Sequence, residues 1–101
     1  MQTQQEQQVF GAIADPTRRH IISMLADQPA AVHELAERFE ISRPAVSKHL
    51  KVLKNASLVT EMKQGRQRIY STNPEPLKEV QEWIHSFWGD RLQALKKFVE
   101  K

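Results

Sequence analysis

The chain has 101 residues, 40% of them hydrophobic and 27% charged, the composition of a small folded domain and not of a disordered or membrane-embedded chain. It contains no cysteine, which excludes disulfide frameworks, thiolate metal sites and cysteine nucleophiles. The net charge of +3 is unevenly spread: from Ser42 to Thr72 seven basic residues stand against Glu61 alone, a net +6, and the remainder is −3, the footprint of a surface that meets a phosphate backbone.

The start of the chain, Met1 to Gln8, has neither a basic opening nor an apolar stretch, and no apolar run reaches transmembrane length, so a cytoplasmic protein without membrane contact is expected. Val9, Phe10, Ile13 and Ala14 fall at helical spacing and predict a first helix with a frayed glutamine-rich beginning. Asp15-Pro16 ends it and opens the second, with Asp15 as N-cap and Pro16 where a missing N–H costs nothing. Ile21, Ile22, Met24 and Leu25 give that second helix its buried face. Val32, Leu35, Ala36 and Phe39 mark a short third helix, and Glu40-Ile41 is a tight turn.

Ser42 caps a fourth helix, with Pro44 near its start and Val46, Leu50 and Leu53 as its inward stripe. Leu58 to Lys63 and Gln67 to Thr72 flank Gln64-Gly65-Arg66 and predict a β-hairpin with glycine at its tip. Asn73-Pro74 starts a long last helix to about residue 99. The expected fold is therefore mainly α with a β-hairpin wing: a winged helix-turn-helix of five helices in one domain spanning 1–101, with no internal repeat.

Two short helices joined by a tight turn, the second capped and basic outside, suit double-stranded DNA, because the major groove admits one α-helix. On the helix over about 42–54 the outward residues are Arg43, Pro44, Ser47, Lys48, Lys51 and Lys54. Arg43 is the candidate base reader, since its planar fork can donate twice to guanine O6 and N7. Ser47 and Lys48 reach a base or the backbone, whereas Lys51 and Lys54 are phosphate contacts or solvated. His49, beside the buried stripe, suits a partly buried structural role at least as well as a DNA contact. On the wing over about 58–72, Lys63, Arg66 and Arg68 are placed for an adjacent minor groove or its phosphates.

The runs Asp15-Pro16-Thr17-Arg18-Arg19, Glu34-Leu35-Ala36, Ile41 through Leu53 and Gly65-Arg66-Gln67-Arg68-Ile69-Tyr70 together resemble the ArsR/SmtB family of bacterial dimeric repressors over roughly Val9 to Leu77. The resemblance implies a homodimer bound to an inverted-repeat operator, usually repressing, with the first and last helices at the subunit interface. The family's metal chemistry is not expected to carry over. Arsenic- and cadmium-type members use cysteines near the third helix, where this chain has Ala31-Val32-His33. Zinc-type members use two histidines and two carboxylates on the last helix, where this chain has His85 with Glu82 and Asp90. No metal, no cofactor and no known effector are assigned, and no catalytic constellation is visible, so an enzyme is not expected.

A helix from Pro74 to Val99 is about 39 Å long. Its apolar residues, among them Leu77, Val80, Trp83, Ile84, Phe87, Trp88 and Leu95, cover about half its circumference, wider than one core needs. With Val9, Phe10 and Ile13 of the first helix they form the expected dimer interface. Arg91 interrupts this face, and Gly89 just before it offers a place to bend. Two other readings remain open: a winged-helix module that binds another protein through the apolar last helix, and a repressor whose Trp83, Phe87 and Trp88 line a pocket for a small apolar effector.

Overall fold

The computed structural model describes residues 4–99. Its elements follow the order α1 (Gln4–Ile13), α2 (Pro16–Asp27), β1 (Ala30–Ala31), α3 (Val32–Phe39), α4 (Arg43–Asn55), β2 (Val59–Gln64), β3 (Gln67–Thr72) and α5 (Glu75–Val99). The mainly helical winged helix-turn-helix expected from the sequence is the fold observed. Helix boundaries coincide with local chemistry. The Asp15 carboxylate accepts from the Arg18 backbone N–H at 3.0 Å, and Ser42 Oγ accepts from that of Ala45 at 3.2 Å, each satisfying a donor that the first helical turn leaves without a partner.

Two features depart from the sequence expectation. Helix α1 begins already at Gln4, inside the glutamine-rich segment whose composition predicts a frayed start; glutamine is a competent helix former, and Gln5 Nε2 donates to the Ala56 carbonyl at 2.8 Å, tying this turn to the end of α4. The wing is not a bare hairpin. Ala30 and Ala31 pair antiparallel with Tyr70 and Ile69, giving a three-stranded sheet in the order β1-β3-β2. Two alanines carry no period-two pattern and little strand propensity, so β1 exists only because β3 offers it an edge.

Ile21, Leu35, Val46, Leu50, Leu53 and Leu58 are almost wholly buried where α2, α3, α4 and the base of the wing meet. Burial at this level contributes roughly 1.5–3 kcal/mol per large aliphatic side chain. Val9 and Val80, expected at a subunit interface, belong instead to this core, at 1% and 8% exposure. The pair lie on the sides of α1 and α5 that face the chain's own interior, and so offer a partner almost nothing. Phe10, Ile13 and Leu77 are half-buried against the same core.

Helix α5 runs unbroken through Gly89. A Cβ there would come within 3.0 Å of His85 Nδ1, so the glycine leaves room for the imidazole one turn earlier instead of bending the helix. Beyond Val80, α5 leaves the core behind: Trp83, Ile84, Phe87, Trp88, Leu95, Phe98 and Val99 are all exposed.

Candidate nucleic-acid interface

Helix α4 is amphipathic by its spacing. Val46, Leu50 and Leu53 point into the core, while Arg43, Pro44, Ser47, Lys48, Lys51 and Lys54 are exposed. Pro44, Ala45, Ser47, Lys48 and Lys51 line one open groove along its outer side. Arg43 occupies the first helical position, where the positive end of the helix dipole disfavours a cation. Its placement there contributes nothing to the helix and leaves a planar donor fork at the end nearest the turn. That turn is tight because Glu40 adopts a left-handed φ of 55° and Ile41 N–H bonds back to the Ala36 carbonyl at 3.2 Å.

His49, on the flank of α4, is half-buried, and its Nδ1 lies 3.5 Å from Arg18 Nη1. The structural role weighed for it in the sequence is the one its surroundings suit. Arg18 also donates from Nε to the Ala12 carbonyl at 2.7 Å and from Nη2 to that of Gly11 at 3.1 Å. Arg19 Nη1 donates to the Ile13 and Ala14 carbonyls at 2.6 and 3.2 Å. The Arg-Arg pair that follows Asp15-Pro16-Thr17 therefore closes the open carbonyl end of α1, a function the sequence reading did not assign.

The wing turns at Gly65, whose φ of 63° suits the first position of a two-residue hairpin turn. Arg66 stands beside it at the tip, fully outside. Lys63 and Arg68 face each other directly across the ladder, a like-charge pair that is unfavourable by itself. Glu61, two residues before Lys63 and therefore on the same face, offsets it. Its carboxylate accepts from Arg68 Nη1 at 3.4 Å and from Lys54 Nζ at the end of α4. Lys54, then Tyr70, hold the Glu61 carboxyl at about 2, far below its ordinary value, with Arg68 adding to the effect. Burial, with Glu61 adding to it, raises the Tyr70 phenol.

Seven of the nine expected DNA-facing residues thus lie exposed without an acidic partner among the described residues: Arg43, Pro44, Ser47, Lys48, Lys51, Lys63 and Arg66. Lys54 and Arg68 are exposed but paired with Glu61. The sequence signal that would have found this pairing is the lone acid in the basic segment.

Residues 15–61 match the family model described as bacterial regulatory protein, arsR family. The chain is 43% identical over 89 residues to the HTH-type transcriptional regulator Rv2034 of Mycobacterium tuberculosis, covering 88% of this chain and 83% of that protein.

The chain belongs to the arsR family. It is also 38% identical to the transcriptional repressor SdpR of Bacillus subtilis, over 78% of this chain and 88% of that one. Among solved structures it is similar to an ArsR-like transcriptional regulator from Rhodococcus sp. RHA1, with a TM-score of 0.76, 33% identity, and coverage of 95% and 91% of the two chains. Among the described residues no three histidine, aspartate or glutamate side chains gather where they could hold an ion. No helix among them is long and apolar enough to cross a membrane.

Proposed function

We propose that this arsR-family chain is a transcriptional repressor that binds a double-stranded, inverted-repeat operator as a homodimer, acting as one domain over its 101 residues. The observation that carries the reading is α4: its apolar stripe is locked into the core, its outer groove presents Ser47, Lys48 and Lys51 to solvent, and Arg43 is exposed at its first turn. As the recognition helix it enters the major groove, Arg43 reads a guanine edge, and Ser47 and Lys48 reach bases or backbone while Lys51 meets phosphate. Arg66 and Lys63 at the wing lie over the adjacent minor groove, where narrow A·T-rich segments favour inserted arginine.

The second subunit docks on the exposed side of α1 and α5. Phe10 meets Trp83 edge-on at 6.0 Å, Trp83 stacks on Phe87 at 5.9 Å, and Phe87 meets Trp88 at 5.3 Å. This aromatic row continues into Leu95, Phe98 and Val99, an exposed apolar surface that a monomer in water does not keep uncovered. Two-fold pairing sets two copies of α4 one duplex turn apart, about 34 Å. Selection of duplexes from a random pool, followed by footprinting, tests the whole reading. Two symmetric half-sites at that spacing are expected; enrichment of a single half-site, or of no sequence, would overturn it.

A further inference from the structure

The basic surface is not uniform. Arg43, Lys48, Lys51, Lys63 and Arg66 have no acidic partner among the described residues, whereas Lys54 and Arg68 share the Glu61 carboxylate. The three side chains come from three elements: the last turn of α4, the middle of β2 and the start of β3. Within the triad the anion sits underneath, with 18% of its side chain exposed, and the cations sit above it at 52% and 66%. Both cations therefore keep surface open to a phosphate arriving from solvent while they hold their present partner.

Resting on the DNA-binding reading above, we infer that Glu61 is an internal substitute for a DNA phosphate, holding Lys54 and Arg68 in a triad that lowers the chain's sequence-independent grip on duplex DNA. Non-specific affinity comes almost wholly from cations that displace counterions from the backbone. A cation already neutralised within the protein displaces fewer, and any phosphate it does reach lies close to a carboxylate that repels it. Base reading is spared, because Arg43 stands at the opposite end of α4 from Lys54. The carboxylate accepts from both cations and stays ionised at any pH at which the protein works, so the effect is constant and is not a switch.

The alternative is that Glu61 merely braces the wing against α4, and the two roles predict opposite signs. Glu61→Gln keeps the side-chain size and removes the charge. With the full-length chain and a scrambled-sequence duplex followed by fluorescence anisotropy across a salt series, Glu61→Gln should bind tighter than wild type. A slope of about −0.9 per phosphate corresponds to about an eightfold gain at roughly 0.1 M salt for each cation released, with the log–log slope steeper by about 0.9. Unchanged or weaker binding by Glu61→Gln overturns the inference.

An independent comparison uses charge removal alone. Arg68→Gln should cost less scrambled-duplex affinity than Arg66→Gln in the wild-type background, and should cost as much as Arg66→Gln once Glu61→Gln is also present. Equal losses in the wild-type background also overturn it. If the wild-type chain binds no duplex even at low salt, the DNA reading itself fails; if wild type binds and Glu61→Gln does not tighten, only the role of Glu61 fails.

Discussion

Arg18 and His49 meet at 3.5 Å between α2 and α4, and the same guanidinium holds the Ala12 and Gly11 carbonyls at the end of α1. One side chain thereby joins the helix that carries Phe10 to the helix that carries Arg43. Arg18→Ala leaves two carbonyls without their charged donor, and hydrogen bonds to charged groups contribute roughly 1.5–3 kcal/mol. The expected result is a loss of about 2 kcal/mol, read as a thermal midpoint lower by roughly 10 °C for a domain of this size. Arg18→Lys supplies a single donor in place of a planar fork and should recover less than half of that loss. A midpoint for Arg18→Ala within 2 °C or so of wild type, on the same scale, would show that water satisfies these carbonyls equally well.

Arg43 and Arg66 are both exposed arginines, but they differ in what lies within reach. Arg43 projects from the first turn of α4 and Arg66 from the wing tip. A bidentate guanine contact discriminates by about 1–3 kcal/mol, whereas a phosphate contact carries no sequence information. Arg43→Ala should therefore weaken the selected operator at least tenfold more than a scrambled duplex, and Arg66→Ala should weaken both alike. Equal losses from Arg43→Ala on the two duplexes would remove its base-reading role.

Much of this arrangement is legible in the sequence because it is written locally. The Asp15 and Ser42 caps, the Val46-Leu50-Leu53 stripe and Gly65 at the hairpin tip each depend on residues within a turn or two, and each appears where the sequence puts it. What escaped the sequence depends on distant partners. Ala30-Ala31 becomes a strand only against Ile69-Tyr70, and Glu61 acquires its role only because α4 ends beside β2. Val9 and Val80 failed for a related reason. Helical periodicity shows that a face is apolar but not what covers it, and of two adjacent apolar faces on α5 only the one carrying Val80 packs on the chain's own core.

That division of α5 separates assembly from folding. Phe87 is 54% exposed and Val80 only 8%. Phe87→Asp should shift the chain from dimer to monomer at micromolar concentration in sedimentation equilibrium, with the helical circular dichroism signal retained and operator binding weakened. Val80→Ala opens a small cavity and should lower stability by about 2 kcal/mol without dissociating the dimer at the same concentration. A Phe87→Asp chain that stays dimeric would place the subunit contact elsewhere on the surface.

Acid should dismantle the wing clamp in a defined window. The Glu61 carboxyl is held at about 2, chiefly by Lys54, against an ordinary value of 4.5. Because the folded-state value is the lower one, the ionised carboxylate favours the folded chain: its contribution is complete above the ordinary value and disappears as pH falls through the depressed one. Asp15, lowered first by its bond from the Arg18 backbone N–H, loses its contribution on acidification in the same direction, but it does so in wild type and in Glu61→Gln alike. The difference in thermal midpoint between those two proteins isolates Glu61. It should favour wild type by a constant amount from neutral pH down to about 5, shrink between 4.5 and 2, and vanish below. Since the pair is exposed to solvent, added salt should reduce the difference across the whole range. A difference that persists unchanged below the depressed value would assign the stabilisation to the shape of the side chain and not to its charge.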